Sequence, residues 1–130
     1  MGLQVSKRSV LVVEDDPDGR AVLKAILAID GYTVATARNG FEALQRAREV
    51  QPDVILLDLM MPVMDGRGFR AAQAQDPEIA HIPVLVVSAH SDALNISRLM
   101  GAAGCIGKPI EFDHLLFKVQ ACCRAITPPA

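Results

Sequence analysis

Short apolar runs rich in Val, Ile and Leu alternate along this chain with segments whose apolar residues recur every three or four positions. The first kind reads as buried strand and the second as amphipathic helix. Ser9 to Val13 (SVLVV) opens the series as a fully buried strand and runs into Glu14-Asp15-Asp16-Pro17. There Asp16 suits a helix N-cap and Pro17 the first helical position. Val22, Leu23, Ile26 and Leu27 carry that helix toward Gly31, and Tyr32 to Ala35 predicts a second strand. Asn39-Gly40 reads as a turn, with Phe41, Leu44 and Ala47 marking a second helix closed before Pro52. Asp53 to Leu57 (DVILL) predicts the third strand and delivers Asp58 at its C-terminal end.

A loop from Leu59 to Gly66 follows, in which Asp65-Gly66 reads as a turn, and a weakly patterned helix runs to about Gln75. Pro83 to Val87 predicts the fourth strand, ending at Ser88. Ile96, Leu99 and Met100 imply a fourth helix and Gly104 to Gly107 a short fifth strand. Phe112, Leu115, Leu116, Val119, Cys122, Cys123 and Ile126 form one stripe at helical spacing, stopped by Thr127-Pro128-Pro129. The pattern predicts one α/β domain over residues 9–126 around a parallel sheet, with residues 1–8 as an extension and 127–130 as a tail.

Composition narrows the function. A chain of 130 residues has room for one domain, large enough to bury a core without a metal or disulfide. The formal net charge of -2, with both signs interspersed, argues against direct nucleic-acid binding. No apolar run approaches a membrane span, and the N-terminus lacks a secretory signal pattern. Cys105, Cys122 and Cys123 have no zinc-type spacing and fit a reduced, cytoplasmic setting, where packing outweighs redox sensing as their role.

Function in an open parallel sheet sits at the carboxyl ends of its strands. Here those ends carry Glu14, Asp15 and Asp16 after the first strand, Asp58 after the third, Ser88 after the fourth and Lys108 just beyond the fifth. Clustered carboxylates must share protons or recruit a cation. An all-oxygen set favours a hard ion such as magnesium, manganese being a possible substitute. An ionised Asp58 can be a nucleophile without a separate base. Asp16 counts as a cap rather than a ligand, and His81 and His114 as surface residues.

The strings VLVVEDD, DVILLDLMMPVMDG, IPVLVVSAH and GAAGCIGKP, in this order, resemble the receiver domain of two-component response regulators over about Ser9 to Ile126. The resemblance implies a flavodoxin-like (βα)5 fold with strand order 2-1-3-4-5. It implies Asp58 as phosphoacceptor, with Asp15 binding the metal directly, Glu14 through water and Met60 through its backbone carbonyl. Ser88 and Lys108 would contact phosphoryl oxygens, and the bond from Lys108 to Pro109 would be cis. His90, with the Met60 side chain, would tune how fast water reaches the phosphoaspartate.

Two features depart from the family. Cys105 stands where Tyr or Phe is usual, which puts the rotation of a buried aromatic in question. The stretch from Ser88 to Lys108 is about two residues short, so a short or partly unwound fourth helix is expected. The implied partner is a histidine kinase or histidine phosphotransfer protein, with a stand-alone monomer or weak dimer controlling an unidentified target or relaying phosphate. A receiver belonging to a larger regulator is the variant of that reading. A magnesium-dependent phosphohydrolase with an aspartyl nucleophile is the alternative, weakened by Met60 where such enzymes carry a second Asp. A flavin binder is disfavoured by the acidic cluster and by the absence of Trp.

Overall fold

The computed structural model describes residues 8–61 and 63–125. The elements run β1 (Ser9–Val13), α1 (Pro17–Ile29), β2 (Thr33–Ala37), α2 (Gly40–Val50), β3 (Val54–Asp58), α3 (Gly66–Ala74), β4 (Val84–Ser88), α4 (Ala93–Leu99), β5 (Gly104–Gly107) and α5 (Phe112–Ala125). All strands are parallel, in the order β2-β1-β3-β4-β5. The expected α/β class and strand order both hold.

Period-two alternation in the strands builds two core layers. Val10, Val12, Val54, Leu56, Leu85 and Val87 face Leu23 and Leu27 of α1 and Leu115 and Val119 of α5. Leu11, Val13, Ile55, Leu57 and Val84 face Ala43 and Ala47 of α2 and Phe69 of α3. Because β1, β3 and β4 are covered on both faces, their residues are almost uniformly buried, which is why these strands read as continuous apolar runs.

Caps fix where the helices begin. Asp16, Asn39 and Asp65 each accept a hydrogen bond from the backbone N–H three residues on, at 2.9, 2.8 and 2.8 Å. Asn39 and Asp65 are therefore N-caps rather than turn residues, a reading that their short polar side chains permit equally well. β2 extends to Ala37, two residues past expectation, because Val12 and Val13 pair with Thr36 and Ala37. Gly31, at φ 97°, ends the first helical segment in a conformation that side chains rarely adopt.

One apolar stripe assignment fails in part, and α4 turns one of the residues that marked it outward. In α4 the residues turned to the sheet are Ala93, Ile96 and Ser97, at steps of three and four, so Leu99 lies on the outer side and is 80% exposed. Phe112, the first residue of α5, is also exposed and lines a groove of about 380 Å³ with Val22, Ile26 and Ile110. Ile126 and the proline stop lie outside the described residues.

The weak pattern of α3 has a physical cause. Its buried face is Gly66, Phe69 and Gln73, of which only one is a large apolar residue. Gln73 is wholly buried, and its Nε2 donates to the carbonyls of Ile79 and Ile82, both at 2.9 Å. It thereby holds the irregular segment between α3 and β4 where a ladder cannot. Gly66 lets α3 approach β3: a Cβ there would lie 2.9 Å from Leu59 Cα and 3.1 Å from the Asp58 carbonyl oxygen. Gln73→Leu should leave the Ile82 carbonyl unpaired, strip the Ile79 carbonyl of one of its two donors (the other is the Ile82 N–H), and cost about 1–3 kcal/mol in urea or thermal unfolding. Gly66→Ala should also destabilise, with its amide shift changes centred on Asp58 and Leu59.

Candidate functional site

The site forms where β1, β3, β4 and β5 end on one edge of the sheet. The registers bring Asp58 beside Val87 and Ser88 beside Gly107, so Ser88 and Lys108 follow from neighbouring strand tips. Asp58 is the last residue of β3 rather than the first beyond it. Its backbone thus belongs to the ladder, and only its carboxylate is left to work at the edge.

Three carboxylates meet there. Glu14, Asp15 and Asp58 each offer an oxygen, and these atoms lie within 4.8 Å of one another. Glu14 and Asp58 are buried, at 4% and 6% exposure, while Asp15 is open to solvent. One Lys offsets part of this charge. Lys108 Nζ lies 3.1 Å from Glu14 Oε1 and 4.0 Å from Asp58 Oδ2.

The backbone aims these groups. The Met60 N–H donates to Asp58 Oδ1 at 3.1 Å, and the Asp16 N–H donates to Glu14 Oε2 at 3.3 Å. The Lys108 N–H donates to the Ser88 carbonyl at 3.0 Å, tying the fourth and fifth tips together. Ser88 is buried, and its Oγ accepts from the His90 N–H at 3.0 Å, which leaves its own hydroxyl proton to donate. The Lys108–Pro109 bond is cis.

The electrostatics follow from crowding like charges in a desolvated corner. Burial first, then the hydrogen bond and negative charge of Glu14, push the Asp58 carboxyl up to about 7, against the Met60 N–H and Lys108. Burial would raise Glu14 too, yet hydrogen bonds from Asp58, Lys108 and the Asp16 N–H outweigh it and hold Glu14 below its ordinary value. For Lys108, burial lowers the pKa, but bonding to Glu14 and the surrounding acids overcome it and leave it raised. Without a further cation, Asp58 and Glu14 therefore share one proton. A divalent ion fits this donor set: the ligands are all oxygens, one carboxylate is open to solvent, and the remaining repulsion is of the kind a metal relieves.

The other expected site residues are scattered around this centre. Met60 is exposed just past Asp58. His90 is exposed and its Nδ1 accepts from the Asp92 N–H at 3.0 Å. Cys105 is half-buried on β5, opposite Val86, against a small cluster of Leu59, Val86, Ala93 and Ile96. Arg20 escaped the sequence reading: from the first turns of α1 its guanidinium donates to the carbonyls of Glu14 and Asp15. No sequence signal distinguishes it from a solvated helix Arg, because its partners are main-chain atoms.

Known proteins resemble this chain in sequence and in fold. The transcriptional regulatory protein PrrA of Mycobacterium tuberculosis is 40% identical over 127 residues, covering 95% of this chain and 53% of PrrA. The polar-differentiation response regulator DivK of Brucella abortus is 31% identical over 116 residues, 88% of this chain and 94% of DivK. The chain thus spans about half the length of PrrA and nearly all of DivK. The crystal structure of the chemotaxis response regulator CheY4 of Vibrio cholerae superposes with a TM-score of 0.82 at 31% identity, over 90% of this chain and 99% of that one. Among the described residues no helix is long and apolar enough to cross a membrane. The family model for the response regulator receiver domain matches residues 10–120, and this chain belongs to that family of phosphorylatable switches in two-component signalling.

Proposed function

We propose that Asp58 accepts a phosphoryl group from a phosphohistidine on a histidine kinase or histidine phosphotransfer protein. The observation that carries this reading is the Asp58 carboxylate, buried at a strand tip and within reach of two further carboxylates and one ammonium. Magnesium and aspartyl phosphate are typical of the family. Asp15 and Asp58 would hold the ion directly, Glu14 through water and Met60 through its carbonyl, with manganese able to substitute. Bound there, the ion supplies positive charge against the carboxylates and the incoming phosphoryl group.

The chain's own residues do the rest. An ionised Asp58 oxygen attacks phosphorus without a general base, and the bond from phosphorus to the donor imidazole nitrogen breaks. That nitrogen leaves with the electron pair and takes up a proton from solvent. The Met60 N–H keeps the carboxylate from rotating during the approach. Positioning and charge are most of what phosphoryl transfer asks of a protein.

The product carries nearly two negative charges and three acceptor oxygens. Lys108 shifts from Glu14 to one of these oxygens, and the Ser88 hydroxyl donates to another. The first contact is worth about 4 kcal/mol at an effective dielectric of about 20, the second about 1.5–3 kcal/mol. Reversing a population of 1:99 requires about 5.5 kcal/mol, so both contacts are needed. Because Lys108 and Ser88 are joined through their backbones, their movement reshapes the face formed by α4, β5 and α5. Cys105, smaller than the usual aromatic, takes part as packing. His90 and the Met60 side chain flank the route by which water reaches the phosphoaspartate. A monomer or weak dimer would then control a partner protein or pass the phosphate on.

Incubation with magnesium and acetyl phosphate should add one phosphoryl group to the intact mass. Asp58→Asn should abolish that gain, and a gain unaffected by the substitution would refute the assignment. A second outcome concerns pH. In chelator, the folded chain keeps a proton on Asp58 that the unfolded chain, with a pKa near 3.8, releases. Stability from this group is therefore full at low pH and lost as pH rises through about 7. Glu14 acts in the opposite sense, but only below its ordinary value of 4.5. The metal-free melting temperature should fall by a few degrees between about pH 5 and 8. Magnesium should reverse the fall, and Asp58→Asn should flatten it.

A further inference from the structure

The loop joining β1 to α1 carries two of the three clustered carboxylates, and its backbone needs a partner from outside the regular elements. The Glu14 N–H is taken by the Ala37 carbonyl at 3.1 Å, and the Asp16 carbonyl accepts the first bond of α1 from the Arg20 N–H at 2.9 Å. The carbonyls of Glu14 and Asp15 lie between these two anchors and belong to neither ladder nor helix. Arg20 reaches back across the first turn of α1, and its Nη1 donates to the Glu14 oxygen at 2.9 Å and the Asp15 oxygen at 3.4 Å. One guanidinium thus holds both peptide planes from which the Glu14 and Asp15 side chains project.

We infer that Arg20 is a positioning residue for the cation site: by clamping the Glu14 and Asp15 carbonyls it fixes the direction of their carboxylates toward Asp58. This rests on the proposed magnesium-dependent reading of the site and extends it to a residue that touches neither the ion nor phosphate. The clamp has a cost built in. A guanidinium is permanently charged and stands beside a site that attracts a cation, so its charge alone opposes metal binding. Charge and clamp therefore predict opposite signs on removal. If Arg20 acts only as a charge, neutralising it tightens magnesium binding; if it acts as a clamp, neutralising it weakens binding. Lys keeps the charge, but its ammonium sits one bond nearer the backbone than the Nη1 that makes both bonds, so it restores the repulsion while drawing the donor back from the two carbonyls.

The test titrates magnesium alone into wild type, Arg20→Met and Arg20→Lys by calorimetry and records melting temperatures in chelator. The clamp predicts a magnesium Kd raised about three- to tenfold in Arg20→Met, with no full rescue by Arg20→Lys. Labelling of Asp58 by acetyl phosphate should slow at low magnesium and return to the wild-type rate at saturating magnesium. A tighter or unchanged Kd in Arg20→Met overturns the inference, as does a lowered melting temperature with unchanged Kd, which marks a purely structural brace. Should Arg20→Met fail to fold, Arg20→Lys decides: a wild-type Kd overturns the inference and a raised one supports it. Failure of wild type itself to bind magnesium would instead count against the underlying reading of the site.

Discussion

Everything at the working edge of this molecule follows from placing more negative charge in one desolvated corner than a single Lys can balance. Glu14 takes the Lys108 ammonium at 3.1 Å, and Asp58 is left with the weaker share at 4.0 Å. The price of that imbalance is an Asp58 carboxyl that holds its proton to about 7. A corner in that state stores an electrostatic demand that either a cation or a rearrangement of the ammonium can meet. The sheet is what makes the demand tolerable. Three parallel strands buried on both faces give a rigid floor, and the charges occupy only the tips.

The division of labour among backbone and side chains is equally clear. Main-chain donors from Met60 and Asp16 each fix one carboxylate oxygen, and the Lys108 N–H fixes the Ser88 tip. Side-chain positions at the site are thus set by parts of the chain that do not depend on the identity of their neighbours. Gly66 contributes by absence: the close approach of α3 to the backbone of Asp58 and Leu59 leaves no room for a methyl group.

The strands and the five edge residues were legible in the sequence because buried parallel strands are continuous apolar runs and polar residues interrupt them only at their ends. Asp58 and Ser88 each follow such a run directly, and Lys108 follows the short fifth strand. The motif resemblance supplied what periodicity could not, namely the strand order that brings those ends together. Other features were hidden for definite reasons. Asp65 and Asn39 cap helices, yet the same residues favour turns, and sequence does not separate the two uses. Gln73 sits on a buried face at helical spacing but is polar, so it weakened the pattern of the helix it helps to anchor. Leu99 helped to mark α4 and Phe112 was placed on the α5 stripe because their spacing fits, although a helix of seven residues and a first-turn position turn both outward. Arg20 bonds only main-chain oxygens, a partnership no residue pattern encodes.

The separate attachment of α4 carries a consequence for how the fold can rearrange. Its contact with the sheet is a cluster of Ala, Ile and a buried Ser, and its N-cap Asp92 makes no side-chain capping bond. The element immediately downstream of Ser88 is thus packed on the sheet apart from the two large apolar layers. A change in its seating would leave those layers as they are, so local rearrangement and overall stability draw on separate parts of one small fold.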